Sequence, residues 1–331
     1  GAPVLQPSVN PDGNLLKQHT LECNGTLDEA LAAADVVVEG AYRTPTMQHC
    51  HLENQTAYAY MDDMRHIVIV SSTQIPHICR RVVGQALGIP WSSVRVIKPY
   101  IGGGFGNKQD VLYEPLCAWV CMNLGGHLVK LDVPREETFV SNRVRHAIRS
   151  HIVSWVRPDG TFAARKLEAF SDQGAYASHG HSICAKGVGA FPQLYPCDNI
   201  EADGYTVFTN KPAAGAMRGY GIPQAMWAVE CHTDDVAAKI GMDPIAFRRK
   251  NLMPVGFKDE FSKNELYSDT FNQCMDKGMA ATDYERKYKE YQNQTGDIRR
   301  GIGMSVFWYN TAVWPISLET SSCHMVLNQD G

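Results

Sequence analysis

Basic charge is in short supply: 31 Lys and Arg face 35 Asp and Glu, leaving a formal net charge of −4. Nucleic-acid binding normally needs a basic face, so this balance gives it no support. Long apolar runs are missing too. None approaches the roughly 18 residues that span a bilayer, which argues against a membrane role. The opening GAPVLQPSVNPDGNLLKQHT has no basic stretch followed by an apolar one, so it does not read as a signal peptide. Cysteine is sparse, ten in 331 residues, too few for a disulfide scaffold, and only Cys117 and Cys121 lie close together. Their i,i+4 spacing on an apolar helix points to packing more than to metal ligation. The chain therefore reads as reduced and cytoplasmic. A starting Met is also lacking, and Gly1 with Gly331 at the far end reads as a piece of something larger. What is present, 44% hydrophobic and 20% charged residues, is the composition of a soluble globular protein. At roughly 100–200 residues per domain, the length predicts about two domains.

Along the chain, residues 1–25 read as an extended lead-in. Thr26 with Glu29 predicts a capping box for a short helix over 27–34. Three strand-like stretches follow at 35–44, 49–60 and 66–72, and their closeness predicts a meander. A helix runs from Pro76 to Leu87 and stops at Gly88. Val94–Lys98 reads as a strand, the Gly-rich loop 101–108 comes next, and then an apolar helix of about 110–124 and the strand LVKLDV. Arg157-Pro158-Asp159-Gly160 marks a hairpin between 151–156 and 162–171. Residues 172–222 show little periodicity, the mark of a long functional loop. A helix over about 223–240 stops at Gly241, residues 256–300 read as polar surface helix and linker, and 303–309 as a new strand. Hairpins mixed with amphipathic helices predict an α+β fold.

Four segments could carry chemistry. The loop Ile101-Gly102-Gly103-Gly104-Phe105-Gly106-Asn107-Lys108 strips side chains from one face, so backbone amides can approach a ligand. It has neither the GK[ST] ending of a phosphate loop nor the last glycine of the dinucleotide fingerprint, and a tight turn with no ligand stays open. In Gly215-Ala216-Met217-Arg218-Gly219-Tyr220-Gly221, small neighbours leave Arg218 room to project a guanidinium into a pocket and hold a carboxylate or carbonyl-rich ring. In a strand, His49, His51 and Glu53 would share a face, yet the ligand count for zinc is incomplete. Asp172 to His181 is rich in small residues and suits a ligand-lining loop or a close-packed crossing.

In this order, QHCHLE, STQIPH, GGGFGNKQD, DQGAYASHGH, AMRGYGIPQ and GMDPIAFRRKNL resemble the molybdenum-binding large subunit of the xanthine dehydrogenase/aldehyde oxidase family. The resemblance runs from about residue 14 over nearly the whole chain and looks closest to bacterial xanthine dehydrogenases with a separate molybdenum subunit. It implies a molybdopterin cofactor, often in its cytosine dinucleotide form, whose molybdenum needs no protein ligand. It implies hydroxylation of a purine such as hypoxanthine or xanthine with water-derived oxygen. Electrons would leave through 2Fe-2S clusters to FAD on partner subunits, in a dimer of the full complex. Another N-heterocycle or an aldehyde as substrate, or a non-catalytic fragment that only binds partner chains, are the competing readings.

Carried over position by position, the resemblance lays Gly103, Gly104, Phe105 and Gly106 against the cofactor, with Gln48 near its oxo group. Gln109 stands where the animal purine enzymes carry a substrate-contacting glutamate, keeping hydrogen bonds but losing charge. Arg218 matches the substrate-orienting arginine and counts among both the catalytic and the cofactor-contacting residues. The same resemblance divides the chain into a first cofactor-binding region at 26–255, with two subdomains split near 140–150, a polar helical linker at 256–300, and the start of a second region at 301–331. The family's general base, a glutamate near the far C-terminus, lies in a segment this chain lacks, so turnover by these 331 residues alone is not expected.

Overall fold

The computed structural model describes residues 3–23, 27–259, 263–268, 270–309 and 321–330. Thr26, the expected cap of the first helix, lies outside them. In chain order the elements are β1 (Leu15–Cys23), α1 (Leu27–Ala33), β2 (Val36–Thr44), β3 (Thr56–Met61), β4 (Ile67–Ser71), α2 (Pro76–Leu87), β5 (Val94–Ile97), α3 (Glu114–Asn123) and β6 (Val129–Asp132). They continue with α4 (Arg135–Ser141), β7 (Ile148–Val156), β8 (Phe162–Gly174), α5 (Gly180–Leu194), β9 (Asn199–Phe208), α6 (Ile222–Lys239), α7 (Pro244–Asn251), α8 (Thr270–Thr282) and α9 (Tyr284–Glu290). No described helix is long and apolar enough to cross a membrane.

Two mixed sheets result, one ordered β1-β9-β8-β7-β2 and one ordered β5-β4-β3-β6, so the fold is α+β as expected. The smaller sheet is covered by α2 and α3, whose Cys79, Val83, Cys117, Ala118 and Cys121 bury against Ala59, Ile67 and Ile69. Cys117 and Cys121 are thus packing residues, and both thiols are free. α2 behaves as its sequence predicts: Pro76 opens it and Gly88 closes it at φ +67°. The larger sheet buries alternate residues of β9 (Ile200, Ala202, Gly204, Thr206, Phe208) under α5, while α6 packs beside α5 on β2 and β7.

Several expectations need correction. Residues 15–23 are not a loose lead-in but an edge strand paired antiparallel to β9. β2 pairs with β7 across the larger sheet, so 35–72 is no three-stranded meander. Since β1 and β2 join β7–β9 while residues 56–132 build the other sheet, the sheets do not divide along one cut near 140–150. Residues 172–222 contain α5 and β9. α5 hides its signal because a run such as Lys186-Gly187-Val188-Gly189-Ala190 has poor helix propensity. Close packing compensates: a Cβ on Gly204 would sit 2.5 Å from Val188 Cγ2. Fully buried Arg165 donates to the Phe191 and Tyr195 carbonyls at 3.1 and 2.8 Å, satisfying the end of α5. Residues 303–309 form no strand. Instead the Val306 N–H donates to Glu230 Oε2 at 2.7 Å, joining a buried network in which Arg248 Nε and Tyr195 Oη also donate to Glu230.

Candidate functional site

Residues 47–53 do not continue into β3. Cys50 sits at φ +54°, which breaks any strand before Thr56 and overturns the expectation of three side chains on one strand face. His49 Nε2 donates to the Ala216 carbonyl at 2.7 Å and His51 Nδ1 to the Glu53 carbonyl at 2.5 Å. Glu53 accepts from the Gly102 N–H at 3.0 Å and from Lys108 Nζ at 2.5 Å. No metal-ligating cluster of His, Cys, Asp or Glu exists among the described residues. His49 ties to the turn at Ala216, His51 braces its own loop, and Glu53 holds a different one.

The loop that Glu53 holds is the glycine-rich one. Gly103 (φ +101°), Phe105 (φ +53°) and Gly106 (φ +104°) all take the left-handed side of backbone space. At Gly106 only glycine fits, because an added Cβ would meet the Ala216 carbonyl oxygen at 2.6 Å. The loop stands on Gln74, whose Oε1 accepts from the Gly106 N–H at 2.9 Å and whose own N–H donates to the Lys108 carbonyl at 2.8 Å. Lys108 is 1% exposed, and burial lowers its pKa against the opposing pull of Glu53.

Arg218 hangs from the same loop through its N–H, which donates to the Phe105 carbonyl at 2.8 Å. Its carbonyl accepts from Arg145 Nη2 at 2.7 Å, while Arg145 Nη1 donates to Gln224. The Arg145 N–H in turn donates to the Met47 carbonyl. Four stretches, 47–53, 101–110, 143–145 and 215–224, thereby meet at one place. Among the sequence-predicted residues, Arg218 and Phe105 are exposed, and Gln109 is half-buried with its N–H on the Gly106 carbonyl at 3.1 Å. Gln48 is half-buried; its Nε2 donates to the Phe139 carbonyl at 2.9 Å and its Oε1 accepts from the His49 N–H.

Sequence reasoning missed Gln74, Lys108 and Arg145, and weighed Glu53 only as a metal ligand. Glu53, Gln74 and Lys108 stood inside quoted motifs, but only the fold reveals that they are the loop's supports. Arg145 carried no local signal.

The chemistry of the arrangement suits a polar ligand laid on bare backbone. The N–H groups of Gly103, Gly104 and Phe105 find no acceptor among the described residues, and Gly102, Phe105 and Arg218 are exposed. A molybdopterin-type cofactor, with oxo and phosphate oxygens to satisfy, fits such a surface.

Burial also sets the site's pH response. It pushes His49 and His146 down to about 4, so both are neutral in the folded chain. Unfolded histidine titrates near 6.5, so below that pH the unfolded chain binds more protons. Stability is expected to fall from about pH 6.5 towards pH 4, by roughly 3 kcal/mol per histidine across the window. Urea midpoints at pH 7 and pH 5 check this. A midpoint unchanged between them would contradict it.

Comparison with known proteins places the chain in a family. The model of the molybdopterin cofactor-binding domain matches residues 9–252. A xanthine dehydrogenase molybdenum-binding subunit of Escherichia coli O157:H7 is 46% identical over 98% of this chain, which spans 43% of that relative's length. The large molybdopterin subunit of a Eubacterium barkeri nicotinate dehydrogenase is 33% identical over 85% of this chain and 66% of its own. The solved aldehyde oxidoreductase of Desulfovibrio gigas superposes with a TM-score of 0.78 at 27% identity, covering 84% of this chain and 30% of that one. The chain belongs to the molybdopterin cofactor-binding domain family, among the molybdenum oxidoreductases of the xanthine dehydrogenase/aldehyde oxidase type.

Proposed function

We propose that this chain forms one wall of the active site of a purine hydroxylase acting on hypoxanthine or xanthine. The observation that carries the reading is the hydrogen bond that hangs Arg218 from Phe105, placing a cation beside the bare glycine loop. When bound, the cofactor supplies the two-electron oxidising centre, with water as the source of oxygen. Gly103, Gly104, Phe105 and Gly106 would hold it through backbone, with Gln48 beside it. The exposed Gln48 face is limited, because its amide already serves Phe139 and His49.

Arg218 would orient the substrate and hold the negative charge that builds on the ring during hydroxylation. Gln109 would read a ring N–H or carbonyl without adding charge of its own. Electrons would pass to 2Fe-2S and FAD partner subunits, and the cofactor would be molybdopterin, in the plain or cytosine dinucleotide form. Free thiols throughout the described cysteines suit a reducing compartment such as the cytoplasm.

The test is a panel of hypoxanthine, xanthine, nicotinate and simple aldehydes on the full multi-subunit enzyme. The purines are expected to give the highest kcat/KM, and Arg218→Met to lower it for them at least about tenfold. Faster oxidation of nicotinate or an aldehyde would overturn the purine assignment.

A further inference from the structure

Gln109 and Arg218 are tied together twice. On one side both hang from the glycine loop, Gln109 through the Gly106 carbonyl and Arg218 through the Phe105 carbonyl, at 3.1 and 2.8 Å. On the other side the tie is the stretch Ser178-His179, just ahead of α5. Ser178 Oγ donates to Asp110 Oδ2 at 2.8 Å, next in sequence to Gln109, and Arg143 Nε donates to the same oxygen at 3.0 Å. The adjacent His179 Nδ1 makes a 2.8 Å hydrogen bond with Tyr220 Oη, two residues beyond Arg218. The contacts therefore close a ring: loop, Gln109-Asp110, Ser178-His179, Tyr220 to Arg218, and back to the loop.

Tyr220 shows that this ring bears a constraint. It sits at φ +48°, a conformation non-glycine residues adopt only where their surroundings impose it. The imposing contacts are local. His179 packs edge-on against the Tyr220 ring, with centroids 5.8 Å apart, and bonds its hydroxyl. The neighbouring Gly221 lies so close to α5 that a Cβ there would come within 2.3 Å of the Ile183 carbonyl oxygen. The turn carrying Arg218 is thus pressed onto the start of α5, and Ser178, just ahead of that helix, holds Asp110 beside Gln109.

We infer that Ser178, His179 and Tyr220 are positioning residues that fix the separation of Gln109 from Arg218, and so favour planar heterocycles long enough to be held at both ends. This rests on the reading of Gln109 and Arg218 as the substrate-holding pair. The ring needs no contact between these three residues and the cofactor, so loosening it should weaken the hold of Gln109 and Arg218 on the substrate and leave cofactor retention alone.

The test uses the full multi-subunit enzyme and whichever of hypoxanthine and xanthine it oxidises faster. Ser178→Ala and Tyr220→Phe each remove one hydrogen bond with little change of shape. Each is expected to raise KM roughly fivefold, with a smaller fall in kcat and molybdenum content unchanged. Equilibrium dialysis of the hydroxylated purine product should show the same factor in Kd. His179→Leu should match Tyr220→Phe, while His179→Gln, which can still bond the hydroxyl, should stay near the parent.

Unchanged KM and Kd in all these variants would overturn the inference, as would a joint fall of kcat and molybdenum content with KM unmoved. Arg218→Met and Gln109→Ala separate the two levels. If they raise KM while the Ser178 and Tyr220 variants do not, only the positioning ring fails. If they too leave KM unmoved, the substrate-holding pair itself is wrong and the ring falls with it.

Discussion

Glu53→Ala is expected to destabilise the chain by about 3 kcal/mol at pH 7, because it strands the Lys108 ammonium in the interior. The Lys108 side chain has no exposed surface, and Glu53 Oε2 is the acidic partner given to it, 2.5 Å away. Glu53 remains one-third exposed, which keeps the value at the low end for breaking such a pair. The pH dependence identifies the cause. Burial already lowers the Lys108 pKa below 10.5, and without Glu53 the opposing pull is gone. Between that lowered pKa and 10.5 the unfolded chain binds more protons, so the variant should regain stability as pH rises towards 10. Lys108→Met with Glu53→Gln removes both charges together and should cost less than Glu53→Ala alone. Urea midpoints across pH 7 to 10 check all three. Equal losses at both ends of that range would point to lost contacts instead of a stranded charge.

Gly106→Ala should cost about 2–4 kcal/mol and empty the cofactor site, from strain and collision together. The residue's φ of +104° disfavours any side chain, and the added carbon would lie 2.6 Å from the Ala216 carbonyl oxygen, a backbone atom with nowhere to turn. Relief requires moving either the loop or the 215–218 turn, and both carry the site. Gly88→Ala is the matched control. Its φ is +67°, yet nothing lies within 4 Å of the new carbon, so only about 1 kcal/mol of strain is expected. Thermal or urea unfolding of the two variants, alongside molybdenum content in the full enzyme, distinguishes them. Equal costs would mean that the close approach at Ala216 yields easily.

Much of the fold was legible where local chemistry decides it. Pro76 and Gly88 bracket a helix, the Pro-Asp-Gly turn makes a hairpin, and Cys117 with Cys121 pack at helical spacing. What stayed hidden depends on partners distant in sequence. α5 is a helix because β9 and α6 press on its small residues, and its own propensity argues against it. The strand expected at 49–55 fails because His49, His51 and Glu53 bond to Ala216, to Glu53 itself and to Lys108, contacts with no sequence period. The site shows the same division. The glycines and Arg218 stand out as types in a pattern, whereas Gln74, Glu53 and Lys108 act as supports only once residues over 30 positions apart have met.

The central claim is the proposal that this chain contributes a cofactor wall and substrate-holding residues without sufficing for turnover by itself; it spans 43% of the length of the xanthine dehydrogenase subunit it resembles. Molybdenum analysis of the chain purified alone, and of the same chain within the multi-subunit enzyme proposed above, tests this most directly. The expected result is little metal in the first and close to one molybdenum per chain in the second, with purine hydroxylation confined to the second. Stoichiometric molybdenum and a hydroxylase rate in the isolated 331 residues would contradict it.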